Sequence, residues 1–228
     1  MKKFSFIASF IIVLILMFLS TRKDLQTSLS LAMTVGVLIL LILSFFYFER
    51  SSLGTKEISL IATLSAFAAV SRIIFAPLPN IKPITFLVAL SGYVFGPFQG
   101  FIIGSTSAFL SNIFFGQGPW TPWQMFSWGL IGLISGLLGK REVKYKAIGF
   151  SLLCFFFGFF FDWIMNLWNV ISFVKPITLE SVMGAYITGL TFDILHGTSS
   201  FIFSIIFYDN FYMVLKRYKR RLEITYLK

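Results

Sequence analysis

Charge is scarce in this sequence, and negative charge is scarcest. Only 12% of its 228 residues are charged, nine of them acidic against nineteen basic. There is one cysteine, Cys154, inside an apolar run, so neither a disulfide framework nor a cysteine zinc site is available, and packing is its expected role. There is one histidine, His196, which leaves a multi-histidine metal centre without ligands. No metal and no cofactor is expected. Enzyme signatures are missing as well: neither H-E-x-x-H nor a G-x-S-x-G elbow occurs. The pair Gly139-Lys140 is not a P-loop, because Ile134 stands at the first glycine position and Arg141 at the Ser/Thr position. The chain therefore has no ATPase motif of its own, and no catalytic residues are assigned.

What is abundant is hydrocarbon. The chain is 57% hydrophobic and carries thirty phenylalanines, more apolar surface than a soluble domain of this size can bury, so lipid must be the solvent for much of it. A net charge of +10 in a soluble protein would suggest nucleic acid. Here the basic residues collect in short loops and at the C-terminus, as the positive-inside rule requires, and no nucleic-acid partner is expected.

Apolar runs at 4–20 and 28–48 precede a different kind of helix. Lys2 and Lys3 before the first run also open signal peptides, but Leu19-Ser20-Thr21 is a poor cleavage pattern, so a retained helix is expected. Both runs read as lipid-facing additions. The helix from Glu57 to Phe75 places Ala62, Ala66 and Ala69 on one face, where small residues allow another helix to approach closely: a docking face, or tight packing in its own bundle. Arg72 near its end snorkels outward or meets an anion. Ala76 to Pro83 is a rigid three-proline connector, and Ile84 to Phe95 is too short for a straight span, so it should be short, tilted or broken. Further spans run from Phe98 to Phe115 with Gly100 and Gly104, and from Met125 to Gly139 with Gly129, Gly132 and Gly136. The last two run from Ala147 to Ser172 and from Val182 to Tyr208, before a basic tail.

Eight spans with both termini in the cytoplasm put fourteen basic residues inside and four outside, which makes this the preferred topology. The connector, the Lys175-Pro176 turn and the stretch from Asn112 to Trp128 then share the outer side. That stretch, NIFFGQGPWTPWQMFSW, holds Gly116, Gly118, Pro119 and Pro122 among three tryptophans and two glutamines. Singly, Trp120 or Trp123 reads as an interfacial anchor; together with Asn112, Gln117, Thr121 and Gln124 they read as a ligand-facing lip. Asp162, Asn166 and Asn169 recur at helical spacing, and Tyr186, Asp193 and His196 lie in the last span. Asp162 and Asp193 should sit at similar depth, where a bare charge costs about 2.5–3.5 kcal/mol, so each needs a partner among Arg72, His196 and the asparagines. They form a helix-fastening network, the floor of a ligand pocket, or the proton relay of an autonomous carrier.

The Ala62-x-x-x-Ala66 helix, the PLPNIKPIT connector, the SNIFFGQGPWTPWQ string and the glycine-rich helix after it resemble the substrate-specific S component of an energy-coupling factor (ECF) transporter, over about Ile58 to Tyr208. The connector and the GPWT string most resemble the cobalamin-type members. The resemblance implies an all-α polytopic membrane protein, with a six-helix substrate-binding core at 53–215 preceded by a two-helix extension at 1–52 and followed by a basic cytoplasmic tail at 216–228. It implies capture of a vitamin or related micronutrient from outside. It also implies docking through Ala62 and Ala66 on a transmembrane coupling subunit that carries two ABC-type ATPases. On this reading Trp120, Trp123 and Trp128 stack on the ligand, and Asn80, Gln117, Thr121, Gln124, Asn166 and Asn169 bond it. Arg72, Asp162, Asp193 and His196 tune the floor. A proton-coupled secondary transporter is the alternative, with an intramembrane enzyme behind it.

Overall fold

A computed structural model of the chain describes residues 26–50, 54–140 and 146–226. Seven helices account for nearly all of them: α1 (Gln26–Glu49), α2 (Thr55–Ile74), α3 (Ile84–Phe95), α4 (Pro97–Phe115), α5 (Thr121–Lys140), α6 (Ala147–Phe173) and α7 (Leu179–Tyr226). The described residues form no strand. Five of these helices, α1, α2, α4, α6 and α7, are long and apolar enough to cross a membrane. The chain is an all-α polytopic membrane protein. The run expected at 4–20 lies outside the described residues.

Local chemistry sets the helix ends. The Gly54 N–H donates to the Glu57 carboxylate at 3.1 Å, which closes the first turn of α2. Gly96, at φ 114°, reverses the chain between α3 and α4 with Pro97 opening the next helix, and Gly116, at φ 95°, ends α4. Pro122 lies in the first turn of α5, so the non-helical lip is confined to residues 116–120 and Trp123 and Trp128 are helical.

Glycine decides the packing. A Cβ on Gly132 of α5 would stand 2.1 Å from the carbonyl oxygen of Gly100 on α4, and one on Gly92 of α3 would stand 2.1 Å from the oxygen of Gly132. Gly104, Gly136 and Gly139 meet the backbones of Trp128, Pro97 and Tyr93 as closely. The glycine stripes of α4 and α5 are thus helix contacts, the device by which helices associate where lipid supplies no hydrophobic drive. Around them α3 is enclosed, with every residue from Ile84 to Val94 buried. Its twelve residues extend only about 18 Å, short of the roughly 30 Å hydrocarbon core, so its ends must be satisfied inside the protein.

One expectation needs correction. α1 is more than a lipid-facing addition: Met33, Val37, Leu40 and Leu41 are buried in a cluster with Phe101, Ile103, Trp123 and Phe126, because the sequence concentrates its contact side chains on one face. The basic segment from Lys216 is helical, since α7 continues through it to Tyr226.

Gly132→Ala should destabilise the bundle by about 3 kcal/mol, the upper end for overpacking, since a contact against backbone has no flexible side chain to yield. Gly184→Ala, where nothing lies within 4 Å, should stabilise by up to about 1 kcal/mol through helix propensity. Thermal unfolding of the two purified variants in one detergent checks the contrast.

Candidate functional site

The ends of α2 and α4, the start of α5, the 75–83 connector and the middles of α6 and α7 bring a set of polar side chains together. Its centre is Trp128, fully buried, whose ring stacks on Phe161 with centroids 4.0 Å apart. The Trp128 indole N–H donates to Thr85 Oγ1 at 3.0 Å. Thr85 Oγ1 in turn lies 2.7 Å from His196 Nε2, and His196 Nδ1 lies 2.9 Å from Asp162 Oδ2. With Asp162 ionised, the network assigns the proton to Nδ1, so that Nε2 accepts the Thr85 hydroxyl and a neutral imidazole satisfies each of these atoms. Asn80, held at φ 56°, donates from Nδ2 to Asp162 Oδ2 at 3.1 Å and to the Phe192 carbonyl at 2.8 Å. The Lys82 ammonium donates to Asn80 Oδ1 and lies 5.5 Å from the centroid of the Phe161 ring.

A second arm starts at Arg72, which is buried near the end of α2. Its Nη1 donates to Ser111 Oγ at 2.6 Å and to Asn112 Oδ1 at 2.7 Å. Asn112 Nδ2 passes the chain on to Thr121 Oγ1 at 3.1 Å and Gln124 Oε1 at 2.8 Å. The guanidinium carbon lies over the rings of Phe115 and Trp128, at 4.5 and 5.0 Å. Trp128 therefore joins the two arms. Arg72 pairs with neither aspartate, contrary to one sequence expectation, because the geometry at the end of α2 turns it toward α4.

Several expected residues lie elsewhere. Trp123 turns to α1 and donates to Thr34 Oγ1 at 3.2 Å, and Trp120 meets Trp168 edge to face, so the three tryptophans do not share one surface. Gln117 is exposed and donates to the Phe109 carbonyl, and Asn169 is exposed. Asp193 is buried and interacts with Trp163 and Asn166 rather than with the Trp128 cluster, and Asn166 sits over Gly189. Ala62 and Ala66 are exposed on α2, whereas Ala69, also expected on the docking face, is buried in the chain's own bundle. Thr85, Ser111, Phe161 and Lys82 escaped the sequence reading. A lone threonine in the apolar run from Ile84 to Leu90 was the available signal for the first.

The cluster is packed rather than open, with Thr85, Asn112, Trp128 and His196 all at 0% exposure. A separate groove of about 470 Å³ between Ile134 and the aromatic run from Phe155 to Trp163 is almost wholly apolar and contributes nothing to the polar cluster.

Burial holds the Lys82 ammonium down at about 8, with Asp162 opposing and Arg72 adding to the effect. The unfolded chain then binds more protons than the folded one between pH 8 and 10.5, so stability should rise with pH across that window. The rise should be smaller in Lys82→Met, as read from unfolding midpoints. Thr85→Val strips both Trp128 Nε1 and His196 Nε2 of their partner and should cost about 2–6 kcal/mol, at about 1–3 kcal/mol per buried orphan. Thr85→Ser should recover most of that loss in the same assay.

Comparison with known proteins adds an independent line. Among curated relatives, a UPF0397 protein of Aliivibrio fischeri is 23% identical over 188 residues, 76% of this chain and 98% of its own length. A UPF0397 protein of Clostridium perfringens is 34% identical over 111 residues, 46% of this chain and 58% of its own length. One from Aliivibrio salmonicida is 29% identical over 101 residues, 41% of this chain and 55% of its own length. No solved structure gives a significant match. A family model described as the S component of an ECF-type riboflavin transporter matches residues 52–213, from just before α2 into the last turns of the apolar part of α7. The chain belongs to that family and is the membrane-embedded, substrate-binding component of an ECF transporter, a transport subunit and not an enzyme.

Proposed function

We propose that the polar cluster around Trp128 is where the chain captures a flat heteroaromatic vitamin, a flavin ahead of a corrin, and that the chain delivers it by docking on a separate ATP-driven module. The observation that carries the reading is the Trp128–Phe161 stack, set among hydrogen-bonding groups at the end of the bundle where the connector and the lip meet. A planar ring can take the place of one partner in such a stack while Asn80, Thr121 and Gln124 meet its polar edge. The family description names riboflavin, which fits a single aromatic pair. Cobalamin, favoured by the connector and the GPWT string, is the weaker choice. A corrin with its amide arms needs a wide cup, and Trp120, Trp123, Gln117 and Asn169 face away from the cluster.

Delivery requires an engine, and the sequence carries no P-loop. The partner in this reading is a transmembrane coupling subunit with two ABC-type ATPases, and the exposed Ala62 and Ala66 on α2 support docking there. Both termini lie in the cytoplasm on the charge count, which puts the lip and the connector outside.

The buried Asp162–His196 pair favours a second reading, proton-coupled transport by this chain alone. Reconstituted vesicles separate the two. Uptake should need the ATPase module and ATP, and uptake by this chain alone that collapses with the proton gradient would establish the carrier instead. Riboflavin should quench the tryptophan fluorescence of the purified protein and cobalamin should not compete; the reverse result replaces flavin with corrin. The double variant Ala62→Leu with Ala66→Leu should stop co-purification with the ATPase module while riboflavin quenching is retained.

A further inference from the structure

Arg72 is a buried cation that no carboxylate among the described residues neutralises. Its hydrogen-bond acceptors are the uncharged Ser111 and Asn112, its Nε is buried without a partner, and no carboxylate of the described residues forms an ion pair with it. Asp162 is engaged by His196 and Asn80. A guanidinium taken out of water at 7% exposure is costly unless paired, and two neutral acceptors with two ring faces offset only part of that cost. Lys82, the second cation of the cluster, lies over Phe161 while Arg72 lies over Trp128, so each ring of the stacked pair carries one cation. A ring inserted at that stack would therefore meet positive charge beside it.

We infer that the solute taken by this site carries an anionic group, a carboxylate or a phosphate monoester, which the Arg72 guanidinium receives through its free Nε edge. The inference rests on the capture site proposed above and narrows its substrate class from a neutral ring to an anionic one. A guanidinium fork suits such an oxyanion better than an ammonium does, because two of its N–H groups lie parallel at the spacing of the two oxygens. Ser111 and Asn112 then act as positioning residues. They hold Nη1 and leave Nε toward the incoming group.

The test uses the full-length protein in maltoside micelles, which carry no phosphate. Riboflavin and FMN share one ring system and differ by a phosphate, so tryptophan quenching should show FMN bound at least about tenfold tighter, in keeping with a charge-assisted bond. Arg72→Gln should abolish that preference, lowering FMN binding at least about tenfold more than riboflavin binding; Arg72→Lys should keep part of it. Equal or weaker binding of FMN by the unmodified protein overturns the inference, as does an Arg72→Gln variant that loses both flavins alike. Inorganic phosphate, compared with chloride at equal ionic strength, should raise the unfolding midpoint of the unmodified protein but not of Arg72→Gln. A midpoint indifferent to phosphate in the unmodified protein sinks the anion site whatever the flavins do. A phosphate response without binding of either flavin keeps the anion site and removes the flavin reading.

Discussion

Gly132 presents its carbonyl oxygen where a side chain on Gly92 or Gly100 would otherwise stand, so the backbones of α3, α4 and α5 share a space that elsewhere would separate helices. In a bilayer this contact replaces the drive that water gives a soluble core. Gly104 extends it one turn farther, lying against the Trp128 backbone, and so fixes how deep that ring sits. With α5 pressed so close, the Trp128 indole has one acceptor within reach, Thr85 on the enclosed α3. The position of the aromatic pair, and with it the site, follows from residues that have no side chain at all.

Polar groups inside such a bundle have no water to fall back on, and the network shows how this chain answers that constraint. Thr85 serves two neighbours with one hydroxyl, His196 joins α3 to α6 through both ring nitrogens, and Asn80 joins the connector to α6 and α7. These links fasten helices as much as they prepare a site, and the two roles coexist in the same atoms. The network stops short at Arg72 Nε, which is buried without a partner while its guanidinium lies over Trp128. Ser65 Oγ and Ser200 Oγ are buried without a partner as well, so unpaired groups are not confined to the cluster.

Much of the fold was legible because lipid makes sequence patterns strict. Apolar runs gave α1, α2, α4 and α6 nearly to the residue, and Ile84 to Phe95, read as too short for a straight span, is a twelve-residue helix. The last span was read to Tyr208 and the helix runs on to Tyr226, because basic residues end a membrane span without ending a helix; lysine and arginine are good helix formers once in water. The site was half legible. Asn80, Asp162 and His196 stand out as polar residues in apolar surroundings, and they meet. The tryptophans misled because composition cannot tell which side of a helix faces in. Trp123 and Trp128, five residues apart, point to α1 and α3 respectively. Lys82 was read as loop charge, since nothing in a proline-rich connector announces that it folds back over Phe161.

The 48 residues of α7 make a rod about 72 Å long, more than twice the roughly 30 Å hydrocarbon thickness. Its far third carries Lys216, Arg217, Lys219 and Arg220. A rod of that length cannot lean within the bilayer without sweeping its charged end through the headgroup zone. There each basic residue gains about 1 kcal/mol near an anionic surface and loses it within a Debye length. A change of tilt would therefore change how many of these charges sit at the headgroups.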